Sequence, residues 1–375
     1  MKILSIVGAR PEFIQAAPVS RALRKEHKEI LVHTGQHYDQ QMSAAFFQEL
    51  TLPTPKYNLA VGSGSQNQQT ARVMVRLEEV LEEEQPDLVL VRGDTNSTLG
   101  SAIAASKLGF PLAHIEAGER SYNSDMPEEV NRLVVDQLSD IHFCASHNAV
   151  NQLAGEGIVS SSHWVGDVMY DSMIYYHPVA QRRSHILSRL ELTPGRFCLV
   201  TIHRVSNTAD FRRLERIISA LNQLNEIIVL PLHPRTRKAL GSMSAQFGDH
   251  VRVIDPVGYL DMIMLEDGAR LIATDSGGVQ REAYFLGRPC LTLRDETEWV
   301  ETVETGWNQL VGTETERLLN AWEHFEPPAQ HPPIFGDGKA SERIVEILSG
   351  PQEPIHVQAS LFDGYRDFAG RGMAH

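Results

Sequence analysis

The sequence predicts an α/β protein made of two doubly wound, Rossmann-like domains. Short apolar runs alternate with longer segments of helical period, which is the pattern of parallel strands joined by helices. This pattern runs to about residue 166 and then starts again. The length of 375 residues also favours two domains, because single hydrophobic cores stop growing at roughly 250–300 residues.

The first domain is predicted over residues 1–166. Its apolar runs predict strands at residues 3–7, 30–33, 88–91, 112–115 and 141–144. Segments of helical period predict helices at about residues 11–26, 39–50, 66–84, 96–108, 128–138 and 147–156. Gly8 and Arg10 follow the first apolar run at once, so this run is interpreted as a strand and not as a signal peptide.

The second domain is predicted over residues 167–349, with a segment of mixed pattern at 170–194. Strands are predicted at residues 197–202, 227–232, 251–254, 271–273 and 289–293. Helices are predicted near residues 209–224, 235–246, 259–267, 278–286 and 313–325, with a short helix at 340–349 after a proline-rich stretch. Residues 350–375 are expected to form a tail that is either frayed or crosses back to the first domain.

Composition narrows the class of partner. The formal net charge of −14 argues against a broad surface for nucleic acid or for an acidic membrane, although a local basic pocket is compatible with it. Apolar runs stay well short of the 18 residues that a membrane span needs. The three cysteines lie in or beside apolar runs, as reduced thiols of a cytoplasmic protein do. We therefore expect a cytoplasmic protein with a small-molecule partner, no nucleic acid and no membrane.

Carboxylates follow two predicted strands of the first domain. Asp94 comes after one buried strand and Glu116 after the next. Ligands of open α/β sheets bind outside the carboxyl ends of strands, so both side chains are expected in one crevice. Pro127 then opens a helix with Glu128 and Glu129 in its first turn, and one of them is expected to join the group as acid or base. Alternatively, Asp94 only caps the helix that follows it, and the two glutamates only complement the dipole of the helix that Pro127 opens.

Positive groups also follow predicted strands. The turn GARP presents backbone N–H groups to anions and carries Arg10, although a plain capping turn is the alternative. His203 and His233 each end a strand of the second domain beside an arginine. In an acidic protein, two such groupings favour an anion pocket over two structural histidines.

The run LIATDSGGVQRE is the most informative local motif of the second domain. Its apolar strand leads into Ser276, Gly277 and Gly278 and then into a helix, a nest of backbone donors suited to a diphosphate. Glu282 lies further along that helix, where a carboxylate can accept both hydroxyls of a ribose. A plain Gly-Gly turn is the alternative. Together with the carboxylates of the first domain, the motif suggests a nucleotide-sugar enzyme that moves protons in a cleft between the domains.

Eight motifs in order give the chain a recognisable pattern: GARPEFI, RGDTNST, HIEAG, MPEEVNR, TIHR, LPLHPRT, TDSGGVQREA and RDETEW. Over about residues 1–349 this pattern resembles the non-hydrolysing UDP-N-acetylglucosamine 2-epimerases. The resemblance implies a GT-B arrangement of two Rossmann-like domains, a homodimer, a UDP-sugar substrate, and neither a metal nor a nicotinamide cofactor.

The resemblance also implies a reaction and a set of residues. The C2 proton is removed and UDP leaves C1 by anti elimination, giving a 2-acetamidoglucal to which UDP adds back while C2 is protonated on the opposite face. The implied catalytic residues are Asp94, Glu116, Glu128 and His203. The implied substrate-binding residues are Arg10, Gln15, Arg132, Ser276, Gly277, Gly278, Glu282 and Arg294. An allosteric site for substrate is implied around Gln36, His37, Arg204 and His233.

Several positions depart from the family pattern. Gln15 stands where the family usually has lysine, Glu119 where it has leucine, and Val205-Ser206 replace a pair that ends in glutamate. Residues 298–301 read EWVE in place of ERPE, as in a branch that resembles the 2-epimerases of UDP-2,3-diacetamido-2,3-dideoxy-glucuronic acid. These departures leave three alternatives to epimerisation of UDP-GlcNAc: the same reaction on that uronate, irreversible consumption of a UDP-sugar, and a catalytically silent UDP-sugar sensor.

Overall fold

The structure is a computed structural model that describes residues 1–36, 46–241 and 246–350. The chain divides into two compact units: Met1–Val168 together with residues 339–350, and Met169–Gly338. Each unit contains one parallel β-sheet flanked by helices, so the predicted pair of Rossmann-like domains is confirmed. No helix in the described ranges combines the length and the apolar character needed to cross a bilayer.

The first unit contains a seven-stranded sheet in the order β3-β2-β1-β4-β5-β6-β7. Its strands are β1 (Lys2–Val7), β2 (Lys28–His33), β3 (Tyr57–Asn58), β4 (Leu88–Arg92), β5 (Leu112–Ile115), β6 (Ile141–Cys144) and β7 (Ser162–Trp164). Every neighbouring pair is parallel. The five predicted strands are present, and the prediction missed only β3 and β7, which are two and three residues long.

Helices cover both faces of this sheet. They are α1 (Arg10–Leu23), α2 (Gln66–Glu84), α3 (Asn96–Lys107), α4 (Pro127–Leu138) and α5 (His147–Gly155). Successive residues of β4 face opposite sides: Val89 and Val91 pack in one core, and Leu88 and Leu90 pack in the other. The helix predicted at 39–50 lies mostly outside the described residues.

The second unit contains a six-stranded parallel sheet in the order β10-β9-β8-β11-β12-β13. Its strands are β8 (Phe197–Thr201), β9 (Ile227–Pro231), β10 (Val251–Ile254), β11 (Leu271–Thr274), β12 (Cys290–Thr292) and β13 (Asn308–Leu310). The helices from the unit boundary onward are α6 (Val168–Arg183), α7 (Ile186–Arg189), α8 (Val205–Thr208), α9 (Phe211–Gln223), α10 (Pro234–Leu240), α11 (Tyr259–Gly268), α12 (Gly277–Phe285), α13 (Val300–Glu304) and α14 (Thr315–His324). The five strands predicted here are present, and β13 was missed.

The last described helix, α15 (Ala340–Ser349), belongs to the first unit and not to the second domain as predicted. Ile344 and Leu348 on its apolar face share a core with Val19 and Leu23 of α1. Arg343 adds a hydrogen bond to the Val165 carbonyl oxygen, 3.1 Å away. The second unit therefore ends at Gly338. The predicted tail lies outside the described residues from position 351 on.

Candidate active site

Both sheets reverse their strand order at one point, between β1 and β4 in the first unit and between β8 and β11 in the second. Crevices for ligands form outside the carboxyl ends of the strands at such a reversal. Arg10 and Asp94 follow β1 and β4, and His203 and Ser276 follow β8 and β11. The fold thus places the predicted residues at the two positions where ligands of this architecture bind.

Glu116 follows β5 in a strained backbone conformation. Its φ of +69° lies in the left-handed region, which residues other than glycine seldom adopt. The backbone N–H of Glu116 donates to the Phe143 carbonyl oxygen at 3.0 Å, and the Gln15 side-chain amide donates to Glu116 Oε2 at 2.6 Å. Strain held in place by surrounding contacts is typical of functional positions, so it supports a catalytic interpretation of Glu116.

Asp94 is held by an arginine and does not cap the helix that follows it. The N-cap of α3 is Thr95, whose hydroxyl oxygen accepts from the first turn. Arg132 donates to Asp94 Oδ2 through Nε at 3.1 Å and Nη2 at 2.7 Å, and Asn131 donates to the Asp94 carbonyl oxygen at 2.7 Å. The helix-capping alternative for Asp94 is therefore wrong. Arg132, predicted to bind substrate, orients this carboxylate.

The two glutamates that open α4 have different surroundings. Glu129 is buried, and its carboxylate accepts from the backbone N–H groups of Ser121 and Tyr122, each at 2.9 Å, and from Arg132 at 2.5 Å. Burial alone would raise the pKa of Glu129, but the Ser121 N–H and the charge of Arg132 outweigh it and lower the pKa. Glu129 thus shapes the loop before α4. Glu128 is half-buried and remains the candidate acid or base of the pair.

The turn between β1 and α1 differs from the predicted anion site. The carboxylate of Glu12, which is buried, accepts from the backbone N–H groups of Gly8 and Ala9, the latter at 2.9 Å, and from the Thr95 hydroxyl at 2.6 Å. Burial raises the pKa of Glu12 and these donors oppose the rise. The N–H groups predicted to meet an external anion are therefore occupied by a side chain of the same turn.

Three further predicted residues lie around this end of the first unit. The Arg10 guanidinium lies over the Phe46 ring, 4.7 Å from its centre, and this contact orients the guanidinium group. Gln15 contacts Glu116, as described above. Gln36 accepts from the backbone N–H and the hydroxyl of Ser97, at 3.0 and 2.6 Å, and so anchors the first turn of α3. His37 lies outside the described residues.

In the second unit, Ser276 is the N-cap of α12 and Gly277 is its first residue. A Cβ on Gly277 would lie 2.2 Å from Glu298 Oε1, so glycine is required there by the close approach of that carboxylate. Glu298 forms an ion pair with Arg294, whose Nη2 lies 2.9 Å from Oε2, and accepts a hydrogen bond from Arg204 at 3.4 Å. Of the predicted residues, Arg294 and Arg204 are thus joined at the glycine-rich turn. Glu298 is not among the residues predicted from the sequence. The structure was needed to show that Glu298 lies beside these two arginines.

His203 is positioned by a carboxylate that the prediction also missed. Asp275, fully buried at the end of β11, accepts from the backbone N–H groups of His203 and Arg204 at 2.9 and 3.0 Å. The His203 ring, one-third exposed, lies 5.5 Å from the His233 ring. His233 Nδ1 accepts from the Arg235 N–H, so it caps α10. The sequence feature that could have identified Asp275 is its position after an apolar strand, directly before Ser276.

Glu282, the predicted ribose ligand, is buried on α12, close enough to the fully enclosed carboxyl group of Glu266 on α11 for the two to interact electrostatically. Burial raises the pKa of Glu266, which is fully enclosed, and the neighbouring charge of Glu282 raises it further. Both effects favour the neutral form of Glu266. Gly278 meets no atom closer than 3.8 Å at its Cβ position and stays compatible with the predicted diphosphate nest.

In the described ranges, histidine, cysteine, aspartate and glutamate form no group of three or more that could hold a metal ion. The fold and the two strand-order reversals define the class of the chain, a two-unit α/β protein of Rossmann type with carboxylates at one reversal and a glycine-rich turn with a histidine at the other.

Comparisons with known proteins identify the family. The family model described as UDP-N-acetylglucosamine 2-epimerase matches residues 21–349. The chain therefore belongs to the UDP-N-acetylglucosamine 2-epimerase family. A UDP-N-acetylglucosamine 2-epimerase homolog of Methanococcus maripaludis is 49% identical, over 93% of this chain and 99% of the relative. The UDP-2,3-diacetamido-2,3-dideoxy-D-glucuronate 2-epimerase of Pseudomonas aeruginosa is 46% identical over the same shares.

A solved structure agrees with this placement. The crystal structure of UDP-GlcNAc 2-epimerase from Methanocaldococcus jannaschii, in complex with UDP-GlcNAc and UDP, is 41% identical to this chain and superposes with a TM-score of 0.88. The match covers 93% of this chain and 99% of the other. The predicted family and fold class are confirmed.

Proposed function

We propose that this protein is a non-hydrolysing 2-epimerase that interconverts UDP-GlcNAc and UDP-ManNAc, using neither a metal nor a nicotinamide, and that it supplies a sugar for cell-surface polysaccharide. Family membership supports the reaction class. The observation that carries the assignment is the pair of oriented carboxylates at the ends of β4 and β5: Asp94, fixed by Arg132, and Glu116, fixed by its strained backbone and by Gln15.

The proposed reaction needs carboxylates because the C2 proton of the sugar has no adjacent carbonyl group and is weakly acidic. One carboxylate takes this proton as the C1–O bond breaks, and the bonding electrons leave with UDP to give a 2-acetamidoglucal. UDP then adds back at C1, and a second carboxyl group protonates C2 on the opposite face. We assign these acid and base roles to Asp94, Glu116 and Glu128.

Departing UDP carries negative charge that must be stabilised. We assign this task to Arg10, whose guanidinium is oriented by Phe46, and to His203, whose backbone is fixed by Asp275. Next to the Ser276 N-cap, the N-terminus of α12 adds backbone donors from Gly277 and Gly278, supported by the helix dipole. We assign the ribose hydroxyls to Glu282.

The second candidate substrate is UDP-2,3-diacetamido-2,3-dideoxy-glucuronic acid. Its support is the Pseudomonas aeruginosa relative, 46% identical, together with the EWVE sequence at residues 298–301. A C6 carboxylate requires a cation that a C6 hydroxyl does not, so the two substrates should differ strongly in turnover.

We also propose that the protein acts as a cytoplasmic homodimer. Light scattering coupled to size-exclusion chromatography tests the dimeric state.

Proton NMR in deuterated water tests the proposed reaction. With UDP-GlcNAc, we expect deuterium at C2 and a UDP-ManNAc signal that rises to a stable ratio. The Asp94→Asn variant should lose exchange by at least about 100-fold. Asp87→Asn is the matched control, because Asp87 lies just before the other end of β4, where it accepts from the Lys2 N–H. Exchange on the uronate alone would favour the second candidate. Free sugar as product would contradict the non-hydrolysing reaction, and UDP binding without exchange on either sugar would favour a sensor.

A further inference from the structure

Gln15 lies on the first turns of α1 with its side chain almost fully buried, 1% exposed. Its amide Nε2 donates to Glu116 Oε2 at 2.6 Å. The opposite amide orientation would place two oxygens in contact, so the NH₂ group must face the carboxylate. Gln15 is one of the substrate-binding residues that the family resemblance implies. The contact that the structure gives it is instead with a proposed catalytic group.

The other side-chain oxygens, Gln15 Oε1 and Glu116 Oε1, both lie near Gly93. A Cβ built on Gly93 would lie 3.9 Å from Gln15 Oε1 and 4.0 Å from Glu116 Oε1. Gly93 directly precedes Asp94, the other oriented carboxylate of this unit. Because Gln15 engages Oε2, the plane of the Glu116 carboxylate is set with Oε1 on the side of Gly93.

We propose that Gln15 is a positioning residue for proton transfer: its amide holds Oε2 of Glu116 so that Oε1 is presented on the side of Gly93 for exchange at C2. This role rests on the proposed epimerase function. An amide suits it because a neutral donor fixes the carboxylate without adding a positive charge, and an adjacent cation would favour the ionised form and make the carboxylate a weaker base.

The position of Gln15 is itself well fixed. Glu12, one turn earlier on α1, ties the start of the helix to the backbone N–H groups of Gly8 and Ala9. Phe13, on the same stretch of helix, is fully buried. The donor therefore approaches Glu116 from a helix that has little freedom to move, as positioning of a catalytic group requires.

The test uses two substitutions of Gln15 in the full chain. Gln15→Met keeps the length of the side chain and removes the donor. We expect the rate of C2 deuterium exchange to fall by about 10- to 100-fold, with the dissociation constant for UDP, measured by calorimetry, unchanged. Gln15→Lys restores a donor, so it should exchange faster than Gln15→Met, with the acid limb of its kcat/KM profile moved to lower pH.

Ser20→Ala is the matched control, because Ser20 is also a buried polar residue of α1 but donates to Glu29. It should leave exchange unchanged. A folded Gln15→Met variant with full exchange would show that Gln15 only fills space. Weaker UDP-sugar binding at unchanged kcat would show a substrate-binding role instead. If Gln15→Met fails to fold, a folded Gln15→Lys variant without exchange overturns the proposal and one with exchange supports it.

Wild-type measurements separate this proposal from the proposed function. If wild-type protein exchanges the C2 proton, the epimerase assignment stands whatever the Gln15 variants do. If wild-type protein binds UDP but exchanges neither sugar, the assignment fails, and the role of Gln15 fails with it.

Discussion

The buried carboxylate of Asp136, on α4, is expected to be the most sensitive ionic group of the first unit. It accepts from His114 Nδ1 at 2.7 Å and from the Gly118 N–H at 3.1 Å, and it forms an ion pair with Arg120, whose Nη1 lies 2.7 Å away. His114 Nε2 in turn contacts the Gly93 carbonyl oxygen at 2.8 Å. Asp136 therefore fixes the backbone beside both Asp94 and Glu116, and Asp136→Asn should weaken stability and catalysis together.

The expected magnitude follows from burial. The side chains of Asp136 and His114 are fully buried and that of Arg120 is 1% exposed, so solvent cannot screen the charges left behind. Breaking a buried ion pair costs roughly 3–5 kcal/mol. At about 2–4 °C per kcal/mol for a unit of this size, the transition of the first unit should fall by about 6–20 °C. In the variant, an amide NH₂ would also have to face one of these donors.

The pH dependence has a definite sign. Burial opposes ionisation of Asp136, but the charge and hydrogen bond of His114 and the charge of Arg120 prevail and lower its pKa. A carboxyl group with a depressed folded-state pKa contributes stability above its unfolded pKa and loses it as pH falls through the folded pKa. The deficit of Asp136→Asn should therefore be full at pH 7 and shrink below about pH 4.

Asp267→Asn is the matched control for this prediction. Asp267 also accepts from a histidine and an arginine, His177 and Arg288, each at 2.9 Å, but its side chain is 25% exposed. Partly solvated pairs of this kind are worth at most about 1 kcal/mol. Calorimetric unfolding of both variants decides the matter. A loss below about 1 kcal/mol for Asp136→Asn would refute the argument from burial.

Two further substitutions test the second unit. The raised pKa of Glu266 means that the folded state binds more protons than the unfolded state above about pH 4.5, so this residue lowers stability as pH rises. Glu266→Gln, which removes the ionisable group, should therefore melt higher than wild type at pH 8 and like wild type near pH 4, and equal melting at pH 8 would contradict this. Gly277→Ala would bring a Cβ within 2.2 Å of Glu298 and should lower stability by about 1–3 kcal/mol. Gly278→Ala, with no such contact, should not, and equal losses in thermal unfolding would refute the close-approach argument.

Much of the fold was accessible from sequence because the central strands of parallel sheets are buried on both faces. All ten predicted strands form, since each is a mainly apolar run of three or more residues. The missed strands β3, β7 and β13 are two or three residues long and carry polar residues, so they lack such a run. The helix α15 was assigned to the wrong unit for another reason: an apolar helix face does not specify which surface it covers.

The sequence predicted where the site residues lie in the fold better than it predicted which residues they contact. Chain order places Asp94 and Glu116 at strand ends, and the fold puts them there. Adjacent residues such as Glu128 and Glu129 have the same side chain, and only the path of the preceding loop gives Glu129 the N–H groups that fix it. Contacts between distant parts of the chain, such as Gln15 with Glu116, leave no periodic signal.

The turn between β1 and α1 and the turn between β11 and α12 show how similar sequences can have different roles. Both were predicted to bind anions, and each has a carboxylate of the protein beside it. At the first turn, Glu12 accepts the N–H groups directly and so replaces an external anion. At the second, Glu298 is paired with Arg294 and Arg204. These two arginines beside the N-terminus of α12 suit a diphosphate, which the proposed elimination of UDP requires.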